Sequence, residues 1–338
     1  MLLEVENVQL SDTPVAKTAT PRETSFTQFR QAFSSQLSSI LALIGLSVIL
    51  SFLSPHFLTS GNLLTVLLQS SINSILAVGE TFIILTGGID LSVGSVVAFS
   101  SAIMGELVVN YGLNPYLGIL LGLVLGTLTG LLHGVIITKI GIPPFIVTLG
   151  AMSIWRGLAL QLTGGTHTYG LPSVILWLGQ GYIGPVPVPF VVALAVYVVS
   201  WFILDRTQLG LYTYAIGGNE QATRLSGINI HRYKVYLYAI CGFLSGLAGV
   251  ILAGRLNSTA GVVGVGFELD AIAAVVIGGT SLFGGEGIVW GSLLGAVLMG
   301  VIRNGLNLLN VSAYYQMVVI GAVIVAAVGV DALRRKKI

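Results

Sequence analysis

Gln69, Asn73 and Glu80 recur at spacings of four and seven within the apolar stretch 64–86, which sets them on one face of a helix. Ser70, Ala77 and Thr81 lie beside them. Polar and ionisable side chains inside an apolar helix cost free energy and need a reason. One reason is an aqueous path for a hydroxyl-rich solute, with Gln69, Asn73, Glu80 and Thr81 as its lining. The other is hydrogen bonding between helices that only specifies packing. Asp90 and Ser92 follow in Gly87-Gly88-Ile89-Asp90-Leu91-Ser92, at a break between two apolar stretches. Both residue types accept hydrogen bonds from the free amides of a helix start, so capping comes first and a gate on the same path second. Glu268 and Asp270 stand near another helix end and can cap it or pair with Arg255. His133 and Glu106 show no partner in the sequence and are expected to make structural contacts.

No hydrolytic machinery accompanies these groups. GxSxG and HExxH are absent, and the one cysteine, Cys241, lies in an apolar helical stretch where it reads as a small core residue. A phosphate-binding Walker loop ends in Gly-Lys-Ser/Thr, and the chain contains no Gly-Lys pair. It is therefore not expected to be an enzyme or to hold a cofactor or metal, and any ATPase must be a separate polypeptide. Basic residues are not interleaved with aromatics in a run, so nucleic acid is not an expected partner.

The most informative polar segment is 205–233. Asn219 is a good N-cap, Glu220 favours a first helical turn, and Gly227 suits a left-handed helix end. These signals predict a helix of about two turns over 219–227, carrying mixed charge. A plain loop does not need such definite start and stop signals; a docking knob for a partner does.

The elements that must position these groups are membrane helices. Apolar residues make up 54% of 338 positions and charged residues 8%, against about 25% charged in an ordinary soluble domain. The chain is expected to be an all-α polytopic bundle of about ten spans, near 37–54, 64–86, 91–109, 115–138, 143–163, 186–204, 234–256, 267–282, 287–303 and 312–332. Residues 1–35 lack a basic start and apolar core, which argues against a cleaved signal peptide. They read as a flexible cytoplasmic tail, ahead of a membrane domain over 36–333 and a basic end over 334–338.

With ten spans, Lys139, Arg206, Arg224, Arg232, Lys234 and the terminal Arg334-Arg335-Lys336-Lys337 fall on the side of the N-terminal Lys17, Arg22 and Arg30. The loops near 55–63, 110–114, 164–185, 257–266 and 304–311 carry no lysine or arginine. Positive charge stays inside, so both termini are expected in the cytoplasm. Glycine recurs every fourth residue from Gly118 to Gly134, and again at Gly287, Gly291, Gly295 and at Gly242, Gly246, Gly249. Such stripes let helix backbones approach closely in lipid. Residues 87–94 and 278–285 also share Gly-Gly-x-x-Leu-x-x-Gly, a faint echo of the internal repeats found in transporters.

The segment with Gly218, Asn219, Ala222, Gly227 and Ile228 resembles the cytoplasmic coupling segment of permease subunits of ribose-type monosaccharide ATP-binding-cassette importers. AVGETFIILTGGIDLSVGS at 77–95, PPFIVTLGAMSIWRG at 143–157, FELDAIAAVVIGGTSLFGGEG at 267–287 and NGLNLLNVSAYYQ at 304–316 look like the same family. The likeness runs from about residue 40 to the end. It implies a multi-pass permease of the bacterial inner membrane, working as a pair of permease chains in lipid with a cytoplasmic ATPase and an extracytoplasmic sugar-binding protein. Gly218, Asn219, Glu220, Ala222, Thr223, Arg224 and Gly227 would then form the coupling helix seated in the ATPase. Permeases for autoinducer-2 and branched-chain amino acids share this architecture, which leaves the solute open. A separate reading is a secondary transporter driven by an ion gradient through Glu80 or Asp90.

Overall fold

A computed structural model describes the backbone of residues 21–335 and the side chains of residues 36–333. The first twenty residues of the expected tail, with Lys17, and the terminal Lys336-Lys337 lie outside the described residues. Helix α1 (Pro21–Leu53) starts well ahead of its apolar part, so helix reaches back into the stretch read as tail.

The apolar stretches fold as α2 (Ser60–Ile84), α3 (Val93–Val109), α4 (Pro115–Val135), α5 (Pro144–Thr163), α6 (Ser173–Gln180) and α7 (Val188–Arg206). They continue as α8 (Gln208–Gly218), α9 (Glu220–Leu225), α10 (Ile230–Leu256), α11 (Phe267–Ile277), α12 (Val289–Leu308) and α13 (Ala313–Arg335). Prolines set several starts: Pro115 and Pro144 occupy the first helical positions of α4 and α5, where the missing N–H costs nothing and φ is already helical.

Among the described residues, eight helices are long and apolar enough to cross a membrane: α1, α2, α4 with its π-helical continuation Ile136–Ile140, α5, α7, α10, α12 and α13. The other two expected spans are shorter. α3 has 17 residues and α11 only 11; at 1.5 Å per residue the latter rises about 16 Å, roughly half the hydrocarbon thickness. Each adjoins a glycine-rich segment without helix, 86–92 before α3 and 279–288 after α11.

Two helices and two strand pairs were not expected in an all-helical bundle with plain loops. α6 lies where 164–185 reads as loop, and α8 precedes the expected coupling helix. Two short antiparallel pairs also form: β1 (His167–Tyr169) with β4 (Ser258–Ala260), and β2 (Tyr182–Ile183) with β3 (Val186–Pro187). α6 closes one end of α10. A Cβ on Gly179 or Gly254 would overlap the other helix's backbone, and the Gln180 amide donates to the Gly254 and Arg255 carbonyls, both at 3.1 Å. Two C-terminal carbonyls of α10 thus gain a donor that the helix itself cannot supply.

α2 and α10 form the centre of the bundle, while α13 is nearly all periphery. The glycine stripe of α4 meets α10 as expected. Gly126 and Gly130 face Gly242 and the Tyr238 carbonyl so closely that any side chain would collide with backbone. Gly291 and Gly295 of α12 do the same against Gly278 and Ala274 of the α11 region. Lipid gives no hydrophobic drive for helix association, so this close approach supplies dispersion contact in its place.

Candidate functional site

The middle of α2 lines a cavity of about 200 Å³. α2 contributes Gln69 and Asn73 to its wall, α10 contributes Arg255, and Phe267 comes from the first turn of α11. Arg303 and Asn307 of α12 and Gln316 of α13 complete the polar lining. The Gln316 amide is fixed by donating to Asn307 Oδ1 at 2.8 Å and to the Val311 carbonyl at 2.9 Å. Arg303 Nη2 donates to Asp270 Oδ2 at 2.6 Å, and Asp270 is fully buried beneath it. The partner of Asp270 is therefore Arg303, not Arg255. The two carboxylates of α11 thus divide the expected roles, because Glu268 Oε1 turns back to accept the Gly266 amide at 3.2 Å.

The polar strip of α2 does not stay together. Gln69 and Asn73 reach the cavity, whereas Glu80, Thr81, Asp90 and Ser92 do not line it. Thr81 returns its hydroxyl to the Ala77 carbonyl of its own helix at 2.7 Å. Glu80 is wholly buried, and neither carboxylate oxygen has a hydrogen-bond partner among the described residues. The helical face that carries all three polar residues runs from the cavity into the packed core within two turns of Asn73, so spacing alone could not separate them.

Asp90 closes a local turn ahead of α3 and does not cap it, since the N-cap position is Ser92 and it carries no side-chain cap. Asp90 Oδ1 accepts both the amide and the hydroxyl of Ser92, and its Oδ2 lies 3.9 Å from His133 Nδ1. The Trp155 indole N–H donates to His133 Nε2 at 2.9 Å. An accepting Nε2 leaves the proton of a neutral imidazole on Nδ1, towards Asp90. This buried chain ties the start of α3 to α4 and α5. Among the described residues, the Glu106 carboxylate receives only the Thr168 hydroxyl, at 3.4 Å, and Arg156 donates to the Gly261 and Val263 carbonyls.

The Ile84 end of α2 carries a different arrangement. Asn219 Oδ1 accepts the Ala222 amide at 2.9 Å and starts α9; Gly227 sits just past its end at φ +83°. That left-handed value is where glycine is favoured. The Thr223 hydroxyl donates to the Ala215 carbonyl at 2.8 Å, fastening α9 to α8. Glu220 bonds Lys234 at 2.7 Å and Arg224 at 3.1 Å. Partial burial pushes the Glu220 carboxyl up, but Lys234 and then Arg224 outweigh it and hold it below the usual range. Gly218, Asn219, Ala222 and Arg224 are exposed, as is Leu225. Leu225 is 89% exposed; it was missed because it reads as an ordinary helix former, and only its position on a six-residue helix turns it outward.

α8 and α9 rest on the two glycine-rich breaks. Gly217 packs on the Leu85 carbonyl and the Gly285 amide, Gly285 N–H itself donates to Leu85 O at 2.9 Å, and the Tyr214 hydroxyl donates to Gly287 O at 2.9 Å. Burial, then the nearby Asp205, pushes that hydroxyl up to about 12. The echo between 87–94 and 278–285 is thus a contact: Gly284 and Gly87 meet backbone to backbone beneath α8.

Residues 62–328 match the family described as branched-chain amino acid transport system / permease component. The chain is 49% identical to the ribose import permease protein RbsC of Bacillus subtilis (strain 168), covering 89% of this chain and 93% of that protein. It is 46% identical to the protein of the same name from Escherichia coli (strain K12), over 90% and 95%. The D-allose transport system permease protein AlsC of Escherichia coli (strain K12) is 40% identical over 88% and 91%. No solved structure matches the chain.

Proposed function

We propose, from the premise that this chain belongs to the branched-chain amino acid transport system permease component family, that it is the membrane subunit of an ATP-binding-cassette importer. Its cargo is a monosaccharide, as the names of its ribose and allose permease relatives say of those proteins. It makes no covalent chemistry, and it works in the bacterial inner membrane with a cytoplasmic ATPase and an extracytoplasmic binding protein. Two copies in lipid form the working pair, with both termini cytoplasmic; a reporter inserted near Gly170 should then read extracytoplasmic.

The observation that carries this reading is α9. A six-residue helix capped at both ends, tied down by Thr223 and Lys234 and bearing an outward Leu225, is built to be gripped. The outward surface around Gly218, Asn219, Ala222 and Arg224 would seat in the ATPase, and ATP-driven closure would move it. Gly217 and Tyr214 would pass that movement to the breaks at 86–92 and 279–288, and so to α2. A gradient-driven transporter would need its coupling carboxylate within reach of water, and Glu80 is wholly buried and absent from the cavity wall.

The test is uptake of labelled D-ribose by proteoliposomes holding the permease, its ATPase and its binding protein. Uptake that requires ATP, and that falls with ATPase co-purification when Leu225→Asp is introduced, supports the reading. Uptake that follows an ion gradient without ATP overturns it.

A further inference from the structure

The cavity wall is unusual in what it leaves unpaired. Among the described residues, the Gln69 amide makes no hydrogen bond within the protein, and Arg255 has no acidic partner. Just beneath, Arg303 Nε is buried without a partner among the described residues. Buried polar groups are nearly always satisfied, so the orphaned Arg303 Nε, beside the half-buried Gln69 and Arg255, marks a place where hydrogen-bonding capacity is held for something that comes and goes. One wall is apolar, formed by the Phe267 ring and Ile72. A ring face opposed by amide and guanidinium donors suits a sugar, whose C–H face is apolar and whose edge is all hydroxyl.

We propose that this cavity is a resting site for a single neutral monosaccharide, in which Arg255 and Gln69 read the hydroxyls and the Arg303–Asp270 pair forms the floor. The site deepens the importer reading and rests on it. A cavity of about 200 Å³ has room for a sugar ring, since about 10–15 Å³ of such space already holds one water. Arg255 supplies planar donors that can span neighbouring hydroxyl oxygens, as a guanidinium fork spans a carboxylate. With Arg303 neutralised by Asp270, the unpaired Arg255 leaves the cavity positively charged, so an amino sugar in its cationic form is rejected. The permease itself, and not only its binding protein, then takes part in selecting cargo.

Arg255→Met is the direct test, because Arg255 has no ion-pair partner to strand. The full complex is reconstituted, and uptake of labelled D-ribose is measured beside ATP turnover stimulated by sugar-loaded binding protein. The expected result is uptake lowered about tenfold with stimulated turnover within about twofold of wild type, a factor of ten being 1.4 kcal/mol. Arg255→Lys, which keeps charge but not the fork, should recover only part. The ribose to 2-deoxyribose uptake ratio should also fall towards one in Arg255→Met. The binding protein is common to both complexes, so a change in that ratio belongs to the permease. Unchanged uptake and an unchanged ratio would overturn the site. If Arg255→Met fails to assemble, Gln69→Leu replaces it with the same expectations and the same overturning result. A wild-type complex that takes up no sugar would instead overturn the importer reading, and the site with it.

Discussion

The middle of α2 and its Ile84 end differ in how much hydrogen bonding they leave unused. From Gln69 to Leu85 is about 24 Å along the helix. At the first, the Gln69 amide and the Arg255 guanidinium face an open cavity without partners among the described residues. At the second, backbone meets backbone so tightly that Gly217, Gly284 and Gly285 leave no room for a methyl group. A group that must release its solute cannot be satisfied by the protein, and a contact that must pass on a displacement cannot have slack. One rigid helix joining both conditions is what a coupled transporter requires.

The sharpest way to break the contrast is at the tight end. Gly217→Val would drive a side chain into the Leu85 carbonyl and the Gly285 amide. Stimulated ATP turnover and uptake should both fall more than about tenfold, since overpacking costs about 1–3 kcal/mol or more where neighbours are backbone. Normal values in Gly217→Val would show that this contact carries no force.

A second substitution separates tightness from helix count. In Gly130→Leu the added Cβ meets the Tyr238 carbonyl, whereas in Gly150→Leu it meets nothing within 4 Å. Thermal unfolding in detergent should drop markedly for the first, by about 1–3 kcal/mol, and stay near wild type for the second. Equal losses would mean that the α4–α10 seam is not specially close.

At the cavity, Asn73→Leu should slow uptake several-fold with little change in unfolding temperature. The opposite pattern, stable uptake and lost stability, would make the strip packing after all. The smallest effect belongs to Glu220. Its carboxyl is held below the usual range, so the stabilisation by Lys234 and Arg224 is present above the unfolded value near about 4.3 and is lost only as pH falls through the lower folded value. Stimulated turnover should therefore show no Glu220-dependent change between pH 6 and 8. Glu220→Gln should cost α9 only tenths of a kcal/mol at any pH in that window, as exposed helix pairs do.

How much of this was legible varies with the range of the interaction. The ends of α9 follow from Asn219 and Gly227 because caps are set by residues three or four positions apart. The α4 stripe follows from a period of four. The fate of Gln69 does not, since the cavity it faces is completed by α10, α11 and α12, over a hundred residues away. The choice of Arg303 over Arg255 as partner of Asp270 is of the same kind. α6 was passed over because eight residues are too few to show helical periodicity, although Gln180 needed that helix to reach α10. The shortness of α11 was signalled by its glycines but not its consequence, that GGTSLFGG would fold against GGID.

The glycine seam between α4 and α10 also bears on how the chain is made. Gly130 and its partner Gly242 are separated by over a hundred residues. At about 5–20 residues per second of synthesis, α4 waits roughly 6–20 seconds before α10 exists. During that interval its bare stripe faces acyl chains, which fill the groove at no cost in exposed polar surface. Translation order therefore leaves the first half of the protein lipid-plugged and incomplete, and α10 must displace those chains as it arrives.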